Sequence, residues 1–143
     1  LLRELLVELP DIDADAQRLR TIPGFGPVGS VAVAQALQQF PFRRVDAFIA
    51  HTGLRPRPRD SGDQRGRRRL SKRGPAALRA TLHLCAMSAT TTKAWRPYYE
   101  QQRAKGLSGT AALVVLSRKM ARTAYGICRR KVVFDPTRLA TTT

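Results

Sequence analysis

The sequence predicts an all-α fold, a helical bundle containing a helix-hairpin-helix, with a basic loop between helices. Three observations lead there. Apolar residues recur at helical spacing, as in Leu78, Leu82, Cys85 and Ala89. No stretch alternates apolar and polar residues for long enough to demand a sheet. Gly and Pro fall between the periodic stretches, at Pro10, Gly24, Gly53, Gly74, Pro75 and Gly106. A length of 143 residues suits one domain with one hydrophobic core.

Leu2, Leu5, Leu6 and Leu9 suit the last turns of an amphipathic helix, stopped by Pro10. Residues 11–15 then read as an acidic break, and residues 16–20 as a short helix. The turn Ile22-Pro23-Gly24-Phe25-Gly26-Pro27 leads into a helix over 28–39, with Pro27 near its first turn. Residues 45–52 form another short helix, closed by Gly53. Gly74-Pro75 opens a long helix to about Thr92, and a shorter one runs over 95–105 to Gly106. Ser108 is placed to cap the last helix. There Leu113, Leu116, Met120, Ala124 and Ile127 face inward, while Arg118, Arg122 and Arg129 face out. Room for a short hairpin remains in the 55–70 loop.

Charge narrows the function. Lys and Arg number 26 against 10 Asp and Glu, a net charge of +16. Residues 1–54 carry a net −1, residues 55–79 carry +8 and residues 80–143 carry +9. Half of the excess thus falls within 25 residues: Arg55, Arg57, Arg59, Arg65, Arg67, Arg68, Arg69, Lys72, Arg73 and Arg79 against Asp60 and Asp63. Nine of these ten cations are Arg, whose planar fork matches phosphate. Solvated basic runs are common, but this one is internal and lies between apolar periodic segments. It reads as a phosphate-binding loop with a polyanionic partner. The longest wholly apolar run, residues 111–116, is too short for the ~20 residues of a membrane span. Cys85 and Cys128 form no CxxC pair, and with two His they suggest neither a disulfide framework nor a zinc site; a cytoplasmic location is expected. Leu at position 1, without signal-peptide features after it, reads as a piece of something longer.

Two constellations carry chemistry. Residues 19–32 have the hydrophobe spacing and paired glycines of a helix-hairpin-helix. Gly24 and Gly26 would allow a tight turn that offers backbone N–H groups to phosphate at a helix N-terminus. An ordinary helical hairpin turn is the plainer alternative, since the nearby cations are only Arg18 and Arg20. The second constellation is Gly53-Leu54-Arg55-Pro56, Asp60-Ser61-Gly62, Gly66 and Leu70-Ser71-Lys72-Arg73-Gly74. Taken alone, Asp60-Ser61-Gly62 is a turn. Among its arginines, Ser61 could also act as a nucleophile whose developing phosphorane charge is neutralised, with the general base lying elsewhere.

With the hairpin ahead of it, this pattern resembles the C-terminal domain of IS116/IS110/IS902-type insertion-sequence transposases. The likeness runs from Leu19 through Pro97-Tyr98-Tyr99, Lys105-Gly106, Ala111-Ala112 and Arg118-Lys119 to Tyr125. It implies a DNA recombinase in which a resolvase-like N-terminal domain with a DEDD carboxylate cluster precedes the helical domain. It also implies a guide RNA as partner and the loop serine, Ser61, as nucleophile. Mg2+ is then expected on the N-terminal domain and no cofactor on this chain, which alone is expected to be inactive. On that reading residues 1–10 end a linker, and residues 11–143 are the helical domain, with the hairpin at 16–39, the basic Ser-Gly loop at 54–74 and a bundle at 75–131. Self-association is expected, because strand exchange joins two duplexes. Two departures stand out. Pro75 replaces the Asn usual after the Lys-x-Gly pattern, and the DEDD cluster is not in these residues. The rival reading is a non-catalytic helix-hairpin-helix module that grips nucleic acid. Tyr98, Tyr99, Tyr125 and Trp95 suit packing, Ser71 suits a cap or a phosphate contact, and His51 and His83 lack acidic partners.

Overall fold

Six α-helices occupy the computed structural model, which describes residues 10–39, 42–54 and 76–141. They are α1 (Pro10–Leu19), α2 (Pro27–Gln39), α3 (Val45–Thr52), α4 (Ala76–Ala89), α5 (Arg96–Ala104) and α6 (Gly109–Arg130), followed by a 3-10 helix, Pro136–Thr141. No strand occurs among the described residues, in keeping with the all-α expectation. The hairpin allowed for in the 55–70 loop lies outside them, as do Leu2 to Leu9.

At α1 the sequence reading needs correcting. Pro10 is the first residue of this helix, and the helix runs through the expected acidic break. The reasons are local. Proline's missing N–H costs nothing at a first helical position. Asp13 lies near the start of the helix, where the helix dipole favours negative charge. Asp15 is held by Arg18 at 2.8 Å and Gln38 at 3.1 Å. Beneath the carboxylates, Ile12, Ala16 and Leu19 form a buried stripe at helical spacing, and it packs on α2.

The other helices fall close to their expected bounds. Gly53 closes α3 in the left-handed conformation, φ 78°. Ser108 caps α6, its hydroxyl accepting the Ala111 N–H at 3.1 Å. Helix α4 ends at Ala89, short of Thr92. The hydroxyls of Thr90, Thr91 and Thr92 donate back to the carbonyls of Met87, Ser88 and Ala89, offering the chain an alternative to further helix.

Helix α6 is the axis of the bundle, touching each of α1 to α5. Leu116, Met120, Ala121, Ala124 and Ile127 line its buried side. They meet Phe48 and Ile49 from α3, Leu78 and Leu82 from α4, and Leu19 and Val33 from the α1–α2 pair in one core. Trp95, fully buried ahead of α5, lies edge-on to Tyr98 at 6.5 Å and tilted against Phe134 at 5.8 Å. Phe134 belongs to the extended segment after α6, and its N–H donates to Thr21 at 2.8 Å. Among the described residues no helix is long and apolar enough to cross a membrane.

Candidate nucleic-acid interface

The turn between α1 and α2 is built by packing. Ile22 and Phe25 point into the core and are 0% and 6% exposed. Gly24 has φ +99°, and a Cβ there would stand 2.8 Å from both the Ala89 Cβ and the Cys85 carbonyl oxygen. Only glycine lets the turn press so closely on α4. Gly26, by contrast, is exposed, with open space where a Cβ would be. Its backbone makes a hydrogen bond to the Cys85 thiol, which burial nevertheless pushes up to about 11. Cys85 therefore sits under the start of α2, so close to Gly29 that a Cβ there would lie 2.7 Å from its sulfur. Arg79 stands at the other end of α4, ten residues before Ala89 or about 15 Å along the axis. Its Nη1 is buried with no hydrogen-bond partner among the described residues. Gly24 and Gly26 thus share one turn, seated on Cys85 and Ala89, with Arg79 set apart toward the start of α4.

Ser61, Arg55, Arg57, Arg59, Arg65, Arg67, Arg68, Arg69, Lys72 and Arg73 lie outside the described residues. The residue just before them, Leu54, is well defined. It is 2% exposed, its N–H donates to the Thr52 hydroxyl at 3.3 Å, and its carbonyl accepts from Arg118 Nε at 3.2 Å. Arg118 was expected to face out; instead it is partly buried, because its guanidinium reaches that carbonyl 64 residues away.

Arg118 also opens a groove of ≈ 1240 Å³ along α6. One wall carries Arg118, Lys119, Arg122 and Arg130; Tyr98 of α5 and Arg138 of the C-terminal segment close the sides. Burial lowers the affinity of Arg118 and Lys119 for their protons, and the charge of Arg122 lowers both further. Burial raises the Tyr98 pKa, opposed by the nearby charges of Arg118 and Arg122. The ammonium of Lys119 lies 5.7 Å from the centre of the Tyr98 ring. Two carboxylates border this field. Asp46 pairs with Arg122 at 3.3 Å, with both side chains exposed. Asp135 accepts from the Thr137 N–H and hydroxyl at 3.0 and 2.7 Å, and these bonds hold its pKa down.

The site residues named from sequence omit this wall, although its signal was there. Arg118, Arg122 and Arg130 follow a four-residue spacing, and no acidic residue occurs between Glu100 and Asp135. The tyrosines pack as expected. Tyr125 donates to the Phe42 carbonyl at 3.0 Å and stacks on Phe48 at 6.0 Å.

A family model described as Transposase IS116/IS110/IS902 family matches residues 16–100. The chain belongs to that family. The matched part of this transposase-family chain spans the α1–α2 turn, the arginine loop with Ser61, α4 and the start of α5, and stops before α6. The chain is 32% identical over 126 residues to the insertion element IS116 uncharacterized 44.8 kDa protein of Streptomyces clavuligerus, covering 87% of this chain and 32% of that protein. The insertion element IS900 uncharacterized 42 kDa protein of Mycobacterium paratuberculosis is 30% identical over 90% of this chain and 32% of its own length. A probable family 20 transposase of Pseudomonas aeruginosa is 31% identical over 87% of this chain and 38% of its own. The chain thus spans about a third of the curated relatives it matches.

Proposed function

We propose that this chain is the DNA-binding domain of a bacterial transposase, contributing Ser61 to a composite active site that catalyses DNA transposition by recombination. The single observation that carries the reading is the family match across residues 16–100, which takes in Ser61 and nine of the ten clustered cations from Arg55 to Arg73, together with Arg79. The arginines hold the phosphodiester by charge, and Gly24 and Gly26 belong to a helix-hairpin-helix turn that adds backbone contacts. The Ser61 hydroxyl attacks phosphorus, and a serine–phosphate bond forms as the P–O bond to one sugar breaks; that oxygen takes up a proton and leaves as a free strand-end hydroxyl, and bond energy is conserved for rejoining. No step of the proposal runs through a metal on this chain. Mg2+, and the base that takes the serine proton, are assigned to carboxylates of a preceding DEDD domain joined through residues 1–10. A guide RNA and a second protomer complete the cytoplasmic assembly.

The test is Ser61→Ala in the full-length transposase. Strand transfer should fall by several orders of magnitude while DNA affinity stays nearly unchanged, since one hydroxyl adds little to a grip by about ten cations. A nicked substrate should trap a protein–DNA adduct on Ser61, located by mass spectrometry. An adduct on Tyr98, Tyr99 or Ser71, or full activity in the alanine variant, would return Ser61 to an ordinary turn and favour the non-catalytic module.

A further inference from the structure

The groove along α6 is not accounted for by the loop and hairpin. We infer that it is a track for the phosphodiester backbone of one nucleic-acid strand, running from Arg118 past Arg122 to Arg130, with Lys119, Tyr98 and Arg138 along its sides. The inference rests on the nucleic-acid reading above and adds a second surface to it.

Geometry is the first support. Steps of four residues on a helix advance about 6 Å, so Arg118 and Arg130 stand about 18 Å apart along α6 with Arg122 between them. Such a row suits a regular linear polyanion better than a compact anion. Position 126 falls on the same row and is glycine; a Cβ there would lie 3.1 Å from Arg130 Nη2. The missing side chain leaves that guanidinium room to lie along the groove floor. Charge is the second support. Five cations line the groove against Asp135, whose carboxylate is already engaged by Thr137. The Asp46 pair with Arg122 is solvent-exposed and therefore weak, readily exchanged for a phosphate. Continuity is the third. Arg118 holds the carbonyl of Leu54, the residue before Arg55, so the track begins beside the stem of the arginine segment. Arg is also the cation best suited to bidentate phosphate contacts.

Phosphodiester could come from the DNA target or from a guide RNA, and the experiment separates them. Affinities of the full chain for labelled single-stranded DNA, single-stranded RNA and duplex DNA of one sequence are measured across salt concentrations. Arg122→Gln with Arg130→Gln should weaken binding by about tenfold or more and flatten the log–log salt slope by about 1.4 for a single strand or about 1.8 for duplex. The nucleic acid that shows the change is the occupant. Asp46→Asn should act in the opposite direction, tightening binding by freeing Arg122, which a merely destabilising substitution would not do. Arg67→Gln with Arg68→Gln serves as the control for the loop. Loss of affinity in the loop variant with none in the α6 variant overturns the track alone. Loss in neither overturns the nucleic-acid reading itself. Polyglutamate binding as tightly and with the same slope change would show a generic anion surface and also overturn the track.

Discussion

Helices α2 and α6 place positive potential at the surface by opposite means. Helix α2 has no charged residue in its thirteen, and offers only the partial charge of its N-terminus. At that end Gly24 is wedged on α4 and the Gly26 backbone is bonded to a buried thiol, while Gly26, Pro27 and Val28 stay exposed. Helix α6 spends one side on the core and carries full charges, Arg122 and Arg130 among them, on the other. A helix terminus can serve an anion or a close helix contact, whereas side chains leave the backbone free for packing while their charges face outward. The glycine signature alone does not tell which use a turn is put to.

The sharpest way to break the contrast is on the core side of α6. Leu116→Ala should cost about 2–5 kcal/mol, because a fully buried side chain shared by several helices is removed. Chemical denaturation would report it, and a loss below 1 kcal/mol would remove α6 from the centre of the fold. Next comes the turn. Gly24→Ala should cost at least about 1–3 kcal/mol from backbone strain, with the displacement of Ala89 added. Gly26→Ala, facing open space, should stay within about 0.5 kcal/mol and leave salt-dependent DNA binding unchanged. A Gly24 variant that melts normally yet binds DNA poorly would separate the turn's contacts to DNA from its packing on α4. The smallest effect concerns the thiols. Cys85 and Cys128, pushed up to about 11 and about 12, should react slowly with a disulfide reagent at pH 8 until the protein unfolds. Burial lifts both folded values above that of a free thiol, about 8.5. The stability this contributes is therefore complete below about pH 8.5 and is lost as pH rises toward 11 and 12. Thermal melts from pH 8 to 11 should show that fall, and Cys85→Ala should shrink it. Rapid labelling at pH 8 would mean that the start of α2 is open and electropositive.

Much of the fold was legible because its signals are local. Gly53, Ser108 and Gly106 end or begin helices through their own backbone or hydroxyl, and the stripe at Leu78, Leu82, Cys85 and Ala89 needs only helical spacing. The acidic break failed because a proline and aspartates that can interrupt a helix also suit its first turns. Arg118 was misplaced because the carbonyl that draws it inward belongs to Leu54, far away in sequence. The return of residues 132–138 was illegible for the same reason, its anchors being Thr21 and Trp95. At the candidate site the charge excess and its bias to arginine were plain from composition. The groove needed the fold, because it joins α5, α6 and the C-terminal segment.

The place of α6 in the bundle bears on how the chain reaches its folded state. It is synthesised after the five helices it organises, and the bond from Phe134 to Thr21 spans 113 residues. On the ribosome, α1 to α5 emerge with their apolar stripes lacking a common partner, and closure waits for the most distant contacts to form. The groove face and the core face are two sides of that same late helix. Ordering of the charged row therefore coincides with completion of the core, and a partly synthesised chain holds neither.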